Sequence, residues 1–137
     1  MKEMFAGSCL CGQVRYLVEG NAQGFYLCHC EYCQKDTGSA HAANLFFQNA
    51  VLTWLAGEKL ITRFTLPNTK HVKAFCACCG SALPNQQPVG LVVPAGSLDD
   101  APSHTPTAHL FIASKAKWDE KLEQVQAFET LPRNYLK

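Results

Sequence analysis

The sequence predicts a mainly β protein, built of short antiparallel strands around metal sites. Two observations predict it. Stretches of strand length, apolar or alternating, recur at close spacing with Gly, Asn or Pro near their ends. Eight cysteines are gathered in three blocks, "CLC", "CHCEYC" and "CACCG", rather than scattered along the chain.

Taken in order, "QVRYLVEG" sets Val14, Tyr16 and Val18 against Gln13, Arg15 and Leu17, the period of a half-buried strand, and stops at Gly20. "AANLFF", "VLTWLAG" and "EKLITRF" are the next strands expected. "KHVKAFC" leads into the third cysteine block, "VGLVVPAG" follows it, and "AHLFIAS" comes after a Pro-containing loop at 102–106. Segment 118–128 carries Trp118, Leu122 and Val125 at i, i+4 and i+7, the best helical spacing in the chain; the alternative is an irregular docked tail. No repeat, low-complexity tract or domain-sized linker interrupts the pattern, so one domain over 1–137 is expected, with 119–137 as its tail. Strands this closely spaced suit an all-β sandwich or barrel-like layout.

Composition narrows the function. The 137 residues, 47% hydrophobic and 17% charged, suffice for a core without covalent staples. A formal charge of +1 gives no electrostatic case for nucleic acid or an anionic membrane as partner. No apolar run approaches the roughly 20 residues of a membrane span, and "MKEMFAGSCL" lacks the apolar stretch of a secretory signal. The expected location is the cytoplasm, where thiols stay reduced.

That makes the eight cysteines the feature to explain. A disulfide framework would suit an even number, but most of these cysteines sit one or two residues apart, where disulfide geometry is hard to meet. Metal is the better reading. Cys76 and Cys79, followed by Gly80, have the spacing of a zinc knuckle, and a Cys-x-Cys pair on a strand points both side chains to one face, which brings in Cys9 and Cys11. Cys9, Cys11, Cys76 and Cys79 then make a closed four-cysteine site, the form of structural zinc. Cys78 is an alternative member through "CAC", disfavoured because the turning glycine directly follows Cys79. Cys28, Cys30 and Cys33 remain, with no further cysteine pair to complete them. His29, between two of them, points to the opposite face of an extended segment and suits packing behind the site. An open fourth position is the mark of catalytic zinc. Two zinc ions per chain are expected, with water or substrate completing the second site.

The segments "GSCLCGQVRY", "CHCEYCQKDTGS", "FCACCGSAL", "PAGSLDD" and "HLFIASKAKW", in this order, resemble the glutathione-dependent formaldehyde-activating enzyme family, the centromere protein V-type domain. The resemblance runs from about Gly7 to Trp118 and implies the β-tent fold. It implies a structural zinc on Cys9, Cys11, Cys76 and Cys79 and a catalytic zinc on Cys28, Cys30 and Cys33. It also implies the reaction, the joining of glutathione and formaldehyde into S-hydroxymethylglutathione, with the carbon–sulfur lyase reaction as its reverse. Cys78 and His41 match no family role.

The three-thiolate set gives that chemistry a separate rationale. With water bound, the site carries a formal charge of −1, which makes the zinc a weaker Lewis acid than one held by neutral imidazoles, so water activation is disfavoured. A soft substrate thiolate suits the fourth position. A thiol of pKa about 8.5 is only a few per cent ionised at neutral pH; zinc would ionise it, and the sulfur would attack the aldehyde carbon. The partners expected are a small thiol, glutathione above all, and an aldehyde.

Other residues carry less. "QKDTGS" has the composition of a turn whose N–H groups suit an oxyanion, and Lys35 suits a glutathione carboxylate, although a solvated loop explains both. His71, His104 and His109 lie outside the cysteine blocks and read as surface or packing residues. Ser103 and His104 with Asp99 or Asp100 make no convincing hydrolase set, and there is no glycine-rich phosphate loop. Two alternatives stand beside the lyase: an interaction module with two structural zincs, its fourth ligand coming from His29, His41 or Cys78, and a same-fold enzyme acting on a different thiol adduct.

Overall fold

The computed structural model of the protein describes residues 2–134. It is mainly β. Its elements are β1 (Glu3–Ser8), β2 (Arg15–Gly20), β3 (Gly24–Cys28), a short helix α1 (Glu31–Thr37), β4 (Ala42–Phe47), β5 (Val51–Ala56), β6 (Ile61–Thr65), β7 (Val72–Cys76), β8 (Asn85–Gln87), β9 (Gly90–Pro94) and β10 (Ala108–Leu110). One sheet has the order β1-β2-β5, a second β10-β3-β4-β9-β8, and β6 and β7 form a separate ribbon. All pairings are antiparallel except β10 on β3, which is parallel and sets Leu110 opposite Cys28. The short antiparallel strands expected are found, and the one parallel edge is reached by a long crossover from β9.

The alternation read in "QVRYLVEG" is realised in β2, where Tyr16 and Val18 are fully buried. They pack with Phe5, Phe25, Leu45, Phe47, Leu91 and Val93 between the two larger sheets. Phe5 and Phe47 meet edge to face at 5.4 Å, the arrangement that ring quadrupoles favour. Each such side chain contributes roughly 1.5–3 kcal/mol through burial. Gly7 of β1 faces Tyr16 so closely that a Cβ there would overlap the ring. A smaller cluster of Cys9, Val14, Ala74, Cys76 and Leu83, flanked by Trp54, Leu60 and Ile61, fastens the β6–β7 ribbon to the rest.

The helix expected at 118–128 is absent; only Leu122–Gln124 make a 3-10 turn. Trp118, Leu122 and Val125 are 63%, 47% and 62% exposed, so the apolar spacing meets no core to fold against. Residues 135–137 of the expected tail lie outside the described residues. "AHLFIAS" pairs only through Leu110, since Phe111 takes a left-handed φ of 55° and turns the chain out of the sheet.

Candidate metal centres and the adjoining pocket

The cysteine blocks converge in two places. Cys9, Cys11, Cys76 and Cys79 bring their sulfurs within 4.8 Å of one another, and Cys28, Cys30 and Cys33 do the same. The first group is built by two turns. Cys9 and Cys11 do not lie on a strand, as the Cys-x-Cys spacing suggested, but in the turn after β1, closed by Gly12 N–H to the Cys9 carbonyl at 3.0 Å. The second turn follows β7 and is closed by Gly80 N–H to the Cys76 carbonyl at 2.7 Å. Gly12 and Gly80 take φ of 80° and 77°, the left-handed region that a side chain disfavours.

The sulfurs of this group fit a tetrahedral ion. Metal–sulfur bonds of about 2.3 Å set sulfurs about 3.8 Å apart; Cys9 and Cys11 are separated by 3.5 Å, Cys11 and Cys76 by 4.0 Å. Backbone N–H groups aim at the sulfurs as at thiolates, from Val14 to Cys9 at 3.3 Å, Cys78 to Cys76 at 3.4 Å and Cys11 to Cys79 at 3.5 Å. Hydrogen bonds from Ser81 pull the Cys79 thiol down to about 5. At Cys11 the Gln13 N–H favours the thiolate, but burial and the competing sulfurs of Cys9, Cys79 and Cys76 push the thiol up to about 12. These donors cannot all ionise together without a cation, and a divalent ion removes the conflict. Cys78 stands apart, exposed, with its sulfur accepting from the Gln13 amide at 3.2 Å.

At the second group, Cys28 ends β3 and Cys30 is the N-cap of α1, its sulfur accepting from the Cys33 N–H at 3.4 Å. The expected loop "QKDTGS" is instead the body of α1 and its C-cap, Gly38 at φ 66°. Burial raises the Cys33 thiol, and the sulfurs of Cys28 and Cys30 raise it further. Burial likewise raises Cys28, whereas at Cys30 burial is outweighed by the Cys33 N–H and the neighbouring thiols, and its pKa falls. One sulfur thus ionises at the expense of the others, the behaviour expected of a donor set built for a cation. Among the described residues, no further His, Cys, Asp or Glu joins these three within 4.8 Å.

His29 faces away from the sulfurs. It is 1% exposed, with Nε2 2.8 Å from His109 Nδ1, its ring 5.1 Å from that of His41, and Nδ1 3.6 Å from an Asp119 carboxylate oxygen. Burial and the two neighbouring histidines hold its pKa low, so it packs as a neutral ring behind the cysteine loop. Gln34 ties the same region down, donating to the carbonyls of His29 and Ser114 at 2.7 and 2.9 Å. His104 meets Glu3 at 3.2 Å, and Asp99 accepts from Ser8 at 2.5 Å, so neither belongs to a hydrolase set. Lys35 is exposed in the last turn of α1.

A cavity of about 380 Å³ opens on the second group, with Cys28 and Cys33 in its lining. Ala42, Phe46, Leu83 and Val92 give it an apolar wall, and Asn44, Asn85 and Gln87 add amides. Asp36, Lys70, His71 and Lys73 also line it. His71 Nε2 is 2.8 Å from Asp36 Oδ2, and Lys73 Nζ donates to Asp36 Oδ1 at 3.0 Å and to its carbonyl at 2.7 Å. By sequence His71 reads as a surface or packing residue, whereas the structure sets it in the cavity lining. Nothing local signals its meeting with Asp36, since the two are 35 residues apart and come together only when β7 packs beside α1.

The fold and the donor sets define a class: a mainly β protein with two cysteine clusters able to hold metal ions, one beside a cavity. The family model of the glutathione-dependent formaldehyde-activating enzyme matches residues 4–114, and the chain belongs to that family. No curated protein matches the chain. A protein of Rhodobacter sphaeroides, known from a crystal structure, is similar over 76% of this chain and 98% of its own, at 20% identity and a TM-score of 0.55. That likeness shows a shared fold.

The metal reading has a direct check. Elemental analysis of freshly prepared protein is expected to approach two metal ions per chain, one for each cysteine group. A value near zero, with every cysteine in a disulfide, would overturn it.

Proposed function

We propose that the protein is a zinc-dependent carbon–sulfur lyase of the S-hydroxymethylglutathione synthase type, acting on a glutathione adduct in the cytoplasm. The observation that carries this is the set of Cys28, Cys30 and Cys33, incomplete as a four-donor site among the described residues, two of them in the lining of a cavity. In this reading Cys9, Cys11, Cys76 and Cys79 hold a structural zinc and Cys28, Cys30 and Cys33 a catalytic one. Zinc bound there supplies a soft acceptor that keeps a substrate thiol ionised at neutral pH.

The chain's own residues do the rest. Three anionic sulfurs favour a thiolate-type donor over water activation, as their softness requires. Ala42, Phe46, Leu83 and Val92 give the substrate an apolar wall to pack against. Lys70 sets positive charge on the cavity lining, complementary to a carboxylate of glutathione. The amides of Asn44, Asn85 and Gln87 match its peptide groups. Positioning of thiol and aldehyde in one cavity then makes their encounter effectively unimolecular. Family membership supports glutathione and formaldehyde as the pair.

Substituting cobalt for zinc tests the reading. Glutathione is expected to strengthen the sulfur-to-metal charge-transfer absorption, while S-methylglutathione, with no thiol to ionise, leaves it unchanged. Exchange spectroscopy at equilibrium should then show faster interconversion of glutathione, formaldehyde and adduct than occurs spontaneously. A cobalt spectrum indifferent to glutathione and to every small thiol would end the proposal.

A further inference from the structure

Joining a thiol to an aldehyde neither adds nor removes atoms, but it moves a proton. The S–H bond breaks, the carbon–sulfur bond forms, and the carbonyl π pair becomes an O–H bond. The proton that leaves sulfur must be held near the site and delivered to oxygen, and general acid–base groups do this in enzymes. Which group of the cavity can hold it is a question of geometry.

The cavity is lined by Asp36, Lys70, His71 and Lys73 in addition to Cys28 and Cys33. Both Asp36 oxygens are taken, Oδ2 by His71 at 2.8 Å and Oδ1 by Lys73 at 3.0 Å. Lys73 spends its donors on the Asp36 side chain and carbonyl. Lys70 is exposed at the rim. His71 differs from all of these. Asp36 accepts from its Nε2–H, which fixes the tautomer and the ring, and leaves Nδ1 as the nitrogen with a lone pair. No hydrogen bond among the described residues occupies Nδ1. Its side chain is 20% exposed, half-buried yet accessible. The Tyr32 ring, 5.7 Å away, limits its other face. His71 is also the one histidine in the cavity lining, for His29 and His41 face each other behind the cysteine loop.

We propose that His71, oriented by Asp36, is the proton shuttle of this cavity: Nδ1 accepts the thiol proton and returns it to the carbonyl oxygen as the carbon–sulfur bond forms. In the reverse direction the same nitrogen takes the hydroxyl proton of the adduct and gives it back to sulfur. An imidazole held by a carboxylate is the arrangement that other enzymes use for proton transfer of this kind. The charged and titratable groups facing it are Asp36 and Tyr32 from α1, Lys70, and Lys73 from β7. The proposal rests on the thiol–aldehyde reading given above.

The test uses the full metal-loaded chain and its His71→Gln and Asp36→Asn variants. In His71→Gln, glutathione should still strengthen the cobalt absorption, while the exchange rate falls about 10²-fold or more and an ionisation of the wild-type pH profile disappears. In Asp36→Asn the nitrogen-15 shifts of the His71 ring should report a mixed tautomer where the wild type shows Nε2–H, with an intermediate loss of rate. If His71→Gln exchanges at the wild-type rate with an unaltered pH profile, the shuttle is overturned and the lyase reading stands. If the wild type itself neither changes its cobalt spectrum nor speeds exchange, both fall together.

Discussion

Cys76→Ser and Cys79→Ser are expected to abolish the cooperative thermal transition of the protein, leaving a chain without fixed tertiary structure at room temperature. Cys76 is completely buried at the end of β7 and belongs to the cluster that fastens the β6–β7 ribbon to the β1–β2 turn. A two-stranded ribbon is marginal by itself in water, so its attachment depends on that cluster. Structural zinc contributes about 10–16 kcal/mol to folding in small metal domains, as much as the 5–15 kcal/mol that stabilises a whole domain. Serine is a hard, largely protonated oxygen donor in place of a soft thiolate, so the ion is lost along with the ligand. Chelation at raised temperature should imitate the substitutions. Cys78→Ser is the control, since its sulfur is exposed and bonded only to Gln13 and the four-cysteine group excludes it. Differential scanning calorimetry of the three variants decides the matter. A Cys76→Ser protein that melts with the wild type would show that these four cysteines hold no structural ion.

What could be read from the sequence follows from how local each signal is. β2 announced itself because one face is buried and the other wet, so Tyr16 and Val18 alternate with Arg15 and Leu17. β1 did not, because its outer face carries Met4 and Ala6, exposed yet apolar, and the alternation disappears. In β3 every position is buried or half-buried, so neither face is wet and "GFYLC" has no period to detect. The two cysteine groups were legible from spacing alone, since few arrangements of three tight blocks satisfy tetrahedral valence. Their local geometry was not. Cys9 and Cys11 meet through a turn closed at Gly12, not through a shared strand face. α1 was hidden for a related cause: seven residues give too few apolar positions for a helical period, and its N-cap is a cysteine rather than serine or aspartate. The Asp36–His71 pair was beyond any local reading, being made by packing.

Cys30→Ser should keep the fold and abolish the reaction. Serine is among the preferred N-cap residues, and its hydroxyl can accept from the Cys33 N–H as the Cys30 sulfur does at 3.4 Å. The substitution therefore preserves the start of α1, and with it the placement of Cys33 and Asp36. Cys30 is only partly buried and lies outside both core clusters, so no large cavity is left. The expected thermal cost is within about 1–2 kcal/mol, far below that of Cys76→Ser. The donor set loses one of its three soft ligands, and two thiolates do not hold a catalytic ion in place. Exchange between glutathione, formaldehyde and their adduct should fall to the spontaneous rate, with the metal content dropping from two toward one. Cys28→Ser and Cys33→Ser should lose activity equally. Calorimetry, elemental analysis and exchange spectroscopy on the same preparation separate the outcomes. If Cys30→Ser unfolds as fully as Cys76→Ser, both ions are structural and the interaction-module reading gains; if it exchanges substrate at the wild-type rate, the chemistry does not occur at these cysteines.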